Sequence, residues 1–198
     1  MKRQLSFIAF LFFLLSYSSG QSFQILRYGI QDGLCHESTY SIIQDEKGYI
    51  WISTTQGLCR LDGKSFVSDF RGDTLPGVIA STSFEDTKNR IWFGYMNGTL
   101  AVLDGGAFKV LEFEEALSAI VGFDEDRDGN ILAMTQQSGL LVVDNDLQLS
   151  LLSEEFSGLF ASCFHLTQEG NILVGGFSGI TLFAKDKEES TYTKAGRI

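Results

Sequence analysis

The chain has 198 residues, 15 basic against 25 acidic side chains and a formal net charge of −10. That balance excludes a surface built for nucleic acid or an anionic membrane, where Lys and Arg must face phosphates. Charged residues at 20% and hydrophobic ones at 44% fit a folded globular protein, while 21 Gly, 17 Phe and a single Pro suit short strands joined by tight turns.

The first twenty residues read as a targeting segment. Lys2 and Arg3 give a charged start, Leu5 to Leu15 is an almost unbroken apolar run, and Ser18 and Gly20 fit small-x-small cleavage, so the cut is expected before Gln21. The apolar run is short for a membrane span. A periplasmic or extracellular location follows, with residues 21–198 as the mature chain. Cys35, Cys59 and Cys163 are odd in number and show no Cys-x-x-Cys spacing; an exported domain can oxidise two of them, but the repeat pattern does not require a disulfide, and they read rather as small, partly buried apolar residues.

After the leader, one pattern recurs four times. The first copy runs Ile43-Gln-Asp45-Glu-Lys-Gly48-Tyr-Ile50-Trp51, then Gly57-Leu58; the second Phe84-Glu-Asp86-Thr-Lys-Asn89-Arg-Ile91-Trp92, then Gly98. The third runs Phe123-Asp-Glu-Asp126-Arg-Asp-Gly129-Asn-Ile131-Leu132, then Gly139; the fourth Leu166-Thr167-Gln-Glu-Gly170-Asn-Ile172-Leu173, then Gly179. Steps from Trp51 to Trp92, Leu132 and Leu173 are 41, 40 and 41 residues. The physical reading is the same each time. A short strand ends at Asp, whose carboxylate caps the following turn, and Gly or Asn takes the left-handed position. An Ile-Trp-type strand follows, then a small-residue turn into a Gly-Leu strand such as Gly57–Leu61, then a last strand such as Ser65–Phe70 or Phe108–Phe113. Four antiparallel strands in about 41 residues make one blade of a β-propeller. The expected class is therefore all-β, with repeats at approximately 22–70, 71–113, 114–155 and 156–198. Four blades is the lower limit of such rings. Residues 191–198 resemble the approach to a further blade, as Ile25–Ile30 does before the first, so an incomplete ring is expected.

The first copy resembles the two-component regulator propeller repeat, in Tyr28-Gly-Ile-Gln-Asp-Gly-Leu34, Ser41-Ile-Ile-Gln-Asp45, Gly48-Tyr-Ile-Trp51 and Gly57-Leu-Cys-Arg-Leu-Asp62-Gly63. Later copies depart from it: Leu132 and Leu173 replace Trp, and Thr167 replaces Asp. The resemblance implies an extracytoplasmic sensor region of the kind found in Bacteroidetes-type histidine kinases, including hybrid forms. On it rests the expectation of a non-catalytic, ligand-sensing module of a two-component-type system. The alternative is a free-standing secreted propeller that binds carbohydrate or protein.

Trp51 and Trp92 share their register with Leu132 and Leu173, so they read as packing residues rather than sugar platforms. Asp124-x-Asp126-x-Asp128-Gly129 resembles the opening of a calcium loop, but its twelfth position is Thr135 instead of a bidentate acid, so no metal is expected. His36 and His165 have no acidic partner fixed by spacing. No phosphate loop, dinucleotide fingerprint, Gly-x-Ser-x-Gly or kinase motif occurs, and no cofactor is expected. Two loop types share one face of the disc: those leading into each first strand, and those joining second to third strands. Ligand sites gather on such loops because rigid sheets position them. His36, Glu37, Gln56, Tyr95, Asn97, Gln136, Gln137 and Phe177 are the binding candidates. Expected partners are a small molecule or glycan and further propeller blades or a second copy of the chain, with no nucleic acid and no membrane contact except through a segment outside this chain.

Overall fold

The computed structural model describes residues 25–68, 75–186 and 192–197. The expected leader lies outside them. Four antiparallel sheets of four strands follow one another along the chain. Blade 1 holds β1 (Thr39–Gln44), β2 (Ile50–Thr54), β3 (Gly57–Leu61) and β4 (Phe66–Val67); blade 2 holds β5 (Ala80–Glu85), β6 (Ile91–Tyr95), β7 (Leu100–Asp104) and β8 (Ala107–Leu111). Blade 3 holds β9 (Ile120–Glu125), β10 (Ile131–Thr135), β11 (Ser138–Val143) and β12 (Leu149–Ser157); blade 4 holds β13 (Ala161–Leu166), β14 (Ile172–Gly176), β15 (Gly179–Lys185) and β16 (Tyr192–Arg197). The first strands of successive blades adjoin, β1 to β5, β5 to β9 and β9 to β13, which places them at the inner rim. No contact of that extent joins β1 to β13, so the four blades form an open arc.

The Asp of the repeat does more than cap a turn. Asp86 Oδ1 accepts the amides of Lys88 (3.0 Å) and Arg90 (2.9 Å), while Oδ2 accepts Trp92 Nε1 at 2.8 Å and Arg90 Nε at 2.6 Å. Asp45 repeats this with the Lys47 and Tyr49 amides and Trp51 Nε1 at 2.9 Å. Trp therefore belongs where its indole N–H can reach that carboxylate, because a buried Trp needs a partner. In blade 3 the Trp is Leu132, and Asn130 Nδ2 takes the second carboxylate oxygen instead. In blade 4 both are gone: Thr167 Oγ1 accepts only the Asn171 amide, and Leu173 stands at the Trp position.

Side chains alternate between the two faces of each blade, and the core lies between blades. Trp51 and Leu58 of blade 1 meet Ile91, Phe93 and Ala101 of blade 2. Trp51 packs edge-on against Phe93 and Phe108, with ring centroids 6.0 and 5.6 Å apart. Trp92, Leu100 and Val102 meet Ile131, Ala133 and Leu141 of blade 3, and Leu132, Met134 and Leu140 meet Ile172, Val174 and Phe183 of blade 4. Each interface also takes a leucine from the loop leading into the later blade, namely Leu75, Leu117 and Leu159. Hydrogen bonds tie the rims together: Asn89 Nδ2 donates to Glu46, the Thr87 amide and hydroxyl to Glu125, and Arg127 to the Gln168 carbonyl.

Cys35 and Cys59 form a disulfide. This corrects the reading of all three cysteines as small packing residues. The bond fastens the loop leading into blade 1 to β3, beside buried Leu34 and Ile52. Cys163 is free and exposed on β13.

Candidate binding face

The two loop families are hydrogen-bonded to each other at one end of the blades. The Thr55 amide donates to the Ser38 carbonyl (3.3 Å), Met96 to Ile79 (3.0 Å) and Gln136 to Ala119 (2.8 Å). In blade 3 Ser118 reinforces the contact, its hydroxyl accepting the Gln137 and Ser138 amides at 2.8 and 3.1 Å. Blade 4 departs from this pattern. Phe160 lies at φ 50, and its neighbour Ala161 donates instead to the Gln136 carbonyl at 2.8 Å, while Gly158 donates to that of Gln137.

Most of the candidates reach the surface. Glu37, Gln56, Asn97, Gln137 and Phe177 are exposed, and His36 and Gln136 are half-buried. His36 is partly spent on local structure, since its Nδ1 accepts the Ser38 amide at 3.0 Å. Asn97 Oδ1 likewise accepts the Thr99 amide. Tyr95 is withdrawn from the set. It is 1% exposed, and its hydroxyl has no hydrogen-bond partner among the described residues. As the last residue of β6 it points between blades 1 and 2, because strand alternation continues to the end of β6.

Two clefts open on this face. One of about 390 Å³ between blades 1 and 2 is lined by Gln56, Leu58, Leu75 and Pro76; one of about 180 Å³ is lined by Asn97, Thr99, Glu112, Glu115 and Leu117. Phe177 (87% exposed) and Phe160 (46%) stand edge to face at 6.4 Å beyond blade 4. The sequence reading included Phe177 but missed Phe160, which shows no signal in the repeat because other blades place Ser38, Ile79 and Ala119 there.

The opposite face holds the Asp turns. A groove of about 270 Å³ there has Arg60 stacked on Tyr49 and Trp51, with the guanidinium carbon 4.4 and 5.4 Å from the ring centres. In the segment resembling a calcium loop, Asp126 accepts the Asp128 and Asn130 amides, and Asp124 lies on β9, where it accepts the Leu166 amide at 2.9 Å. His165 Nδ1 comes within 3.6 Å of Asp124, a pairing across blades that sequence spacing did not reveal. Among the described residues no three His, Cys, Asp or Glu side chains converge as metal ligands. Nor is any helix among them long and apolar enough to cross a membrane.

Residues 33–56 match the two component regulator propeller family, so the resemblance read in blade 1 holds. No curated protein matches. Among solved structures, the extracellular domain of a hybrid two-component system from B. thetaiotaomicron superposes with a TM-score of 0.71 at 16% identity, over 88% of this chain and 27% of that one. A second such domain from the same organism gives 0.62 at 24% identity, over 84% and 24%. Virginiamycin B lyase from Staphylococcus aureus gives 0.65 at 15%, over 81% and 56%. These likenesses show the propeller fold, and the chain spans about a quarter of the length of the two sensor domains.

Proposed function

We propose that this chain is an extracytoplasmic ligand-sensing module of a two-component-type system, without catalysis of its own. The observation that carries the reading is the family match in blade 1. The disulfide supports export, since such bonds persist in oxidising compartments. A lyase among the structural neighbours shows that this fold also hosts enzymes. On the loop face His36 Nδ1 and Asn97 Oδ1 are engaged with backbone amides.

The ligand is a small molecule or glycan held on the loop face, at the Gln56 and Asn97 clefts or on Phe177. Isothermal calorimetry of residues 21–198 against a panel of mono- and oligosaccharides and small organic acids tests this. The expected result is saturable binding that Gln56→Ala, Asn97→Ala or Phe177→Ala abolishes and Lys47→Ala on the far face leaves intact. Binding indifferent to all three loop-face variants would overturn the assignment. Signalling itself is tested in the longer polypeptide, where a transmembrane helix and an output domain are expected.

A further inference from the structure

The Trp of the repeat gives its indole N–H to the carboxylate of the turn before it, and blade 3 lacks that donor. Asp45 Oδ2 accepts Trp51 Nε1, and Asp86 Oδ2 accepts both Trp92 Nε1 and Arg90 Nε. In blade 3 Asn130 stands four residues after Asp126, as Arg90 stands four after Asp86, and its Nδ2 reaches Asp126 Oδ2 at 2.9 Å. Asn130 therefore repeats the Arg90 bond. The indole's place on that oxygen has no donor among the described residues, because Leu132 at the Trp position carries none.

A cavity of about 520 Å³ opens beside this carboxylate, between the Asp turns of blades 3 and 4. Its counterpart between blades 1 and 2, where Trp51 is present, measures about 270 Å³. Asp126, Asp128 and Glu169 give the larger cavity a negative wall, and Leu166 and Tyr192 give it an apolar one. Of the cations at its border, Arg127 is bonded to the Gln168 carbonyl. Tyr192 is 7% exposed and packs edge-on to Phe156, with ring centroids 5.8 Å apart. Its hydroxyl makes no hydrogen bond among the described residues. Burial first, and then the Asp126 charge, raise its pKa, so at neutral pH it is an uncharged donor and acceptor on the cavity wall.

We propose that this cavity binds a small organic amine, whose ammonium takes the place on Asp126 Oδ2 that the indole N–H fills in blades 1 and 2. Two separate observations point there: a repeat carboxylate that has lost its indole donor, and a buried phenol hydroxyl without a partner on the same cavity wall. An ammonium makes a stronger bond to a carboxylate than a neutral N–H does. The Tyr192 hydroxyl accepts a second N–H, and its ring covers the carbon body of the amine. No three carboxylates converge as metal ligands among the described residues, so the site suits an extended cation better than a bare metal ion. It lies on the face opposite the loops and is independent of the site proposed there.

Isothermal calorimetry of residues 21–198 with benzylamine tests this, with benzyl alcohol as the uncharged isostere. Benzylamine should bind saturably, and benzyl alcohol roughly tenfold more weakly or worse. Asp126→Asn keeps an oxygen for the turn amides but removes the charge, and should weaken the amine by a similar factor. Tyr192→Phe should weaken it several-fold. Leu132→Trp should abolish binding, because its indole N–H takes the acceptor that the ammonium needs. Each variant is checked for native circular dichroism, and if Leu132→Trp does not fold, Asp126→Asn and Tyr192→Phe decide. Asn97→Ala and Phe177→Ala on the loop face should bind benzylamine as the parent chain does, which keeps the two sites distinguishable. No saturable binding, equal binding of benzyl alcohol, or full affinity in Asp126→Asn, in Tyr192→Phe or in a folded Leu132→Trp would overturn the proposal.

Discussion

The repeat's Asp sits at the balance point between solvation and partnership. Burial by itself pushes the Asp86 carboxyl up, but hydrogen bonds from Trp92 and from the Arg90 amide and guanidinium, with the Arg90 charge, outweigh it and hold the group below its ordinary value. A carboxyl depressed in the folded state stabilises above its unfolded pKa of about 4, and that stability is lost as pH falls through the lower folded value. Urea midpoints should therefore fall below about pH 4, and Asp86→Asn should flatten that acid slope. At neutral pH the same variant should cost about 2 kcal/mol, since it weakens charge-assisted bonds to buried donors. Tyr95 is the opposite case: its hydroxyl is buried without a partner, and burial holds its pKa far above the ordinary value. Tyr95→Phe removes a desolvated group at little packing cost, so the thermal midpoint should stay level or rise. A loss above about 1 kcal/mol would reveal a hydrogen bond to that oxygen.

Turn glycines at the same repeat position carry different burdens. Gly57 and Gly98 both have positive φ, 99° and 83°. A Cβ on Gly57 would meet nothing within 4 Å, whereas one on Gly98 would fall 2.3 Å from Leu117 Cβ in the next blade's lead-in loop. Gly57→Ala should cost about 1–2 kcal/mol for the left-handed backbone alone. Gly98→Ala should cost about 2 kcal/mol more, because it also displaces a junction leucine. Equal losses in chemical denaturation would mean that the lead-in loop yields freely. At the junction of blades 2 and 3 the turn and the lead-in leucine therefore pack as one unit, whereas the turn at Gly57 stands clear of the next blade.

At the scale of the molecule, the first of the described blades is fastened differently from the rest. Its lead-in loop is held by Cys35–Cys59, spanning 24 residues, where later loops are clamped between blades. Closing a loop of that length in the unfolded chain stabilises the fold by about 3.5 kcal/mol in the chain-entropy view. Reductant should lower the urea midpoint accordingly, and hydrogen exchange should show the loss first in β1–β4. An unchanged midpoint would mean that Leu34 packing alone suffices. Export is expected to remove residues 1–20. Mass spectrometry of the secreted chain should find Gln21 at its start, and an intact Met1 would refute the cleavage.

The sequence by itself determined the architecture, because a 41-residue period of Asp turn, Ile-Trp strand and Gly-Leu strand admits only one way of burying its apolar alternates: against the next copy. Copies that lost Trp or Asp remained legible, since spacing survived where identity did not. The lead-in leucines at 34, 75, 117 and 159 were also present as a 41–42 residue repeat, but without the packing they looked like ordinary loop residues. Tertiary structure alone decided the rest. It joined Cys35 to Cys59 across two elements, set His165 beside Asp124 in another blade, and buried Tyr95 at the end of its strand. The disulfide depends on how the lead-in loop folds back on β3 and the rest on what lies across a blade junction; local periodicity specifies which face a side chain takes but not which partner waits there.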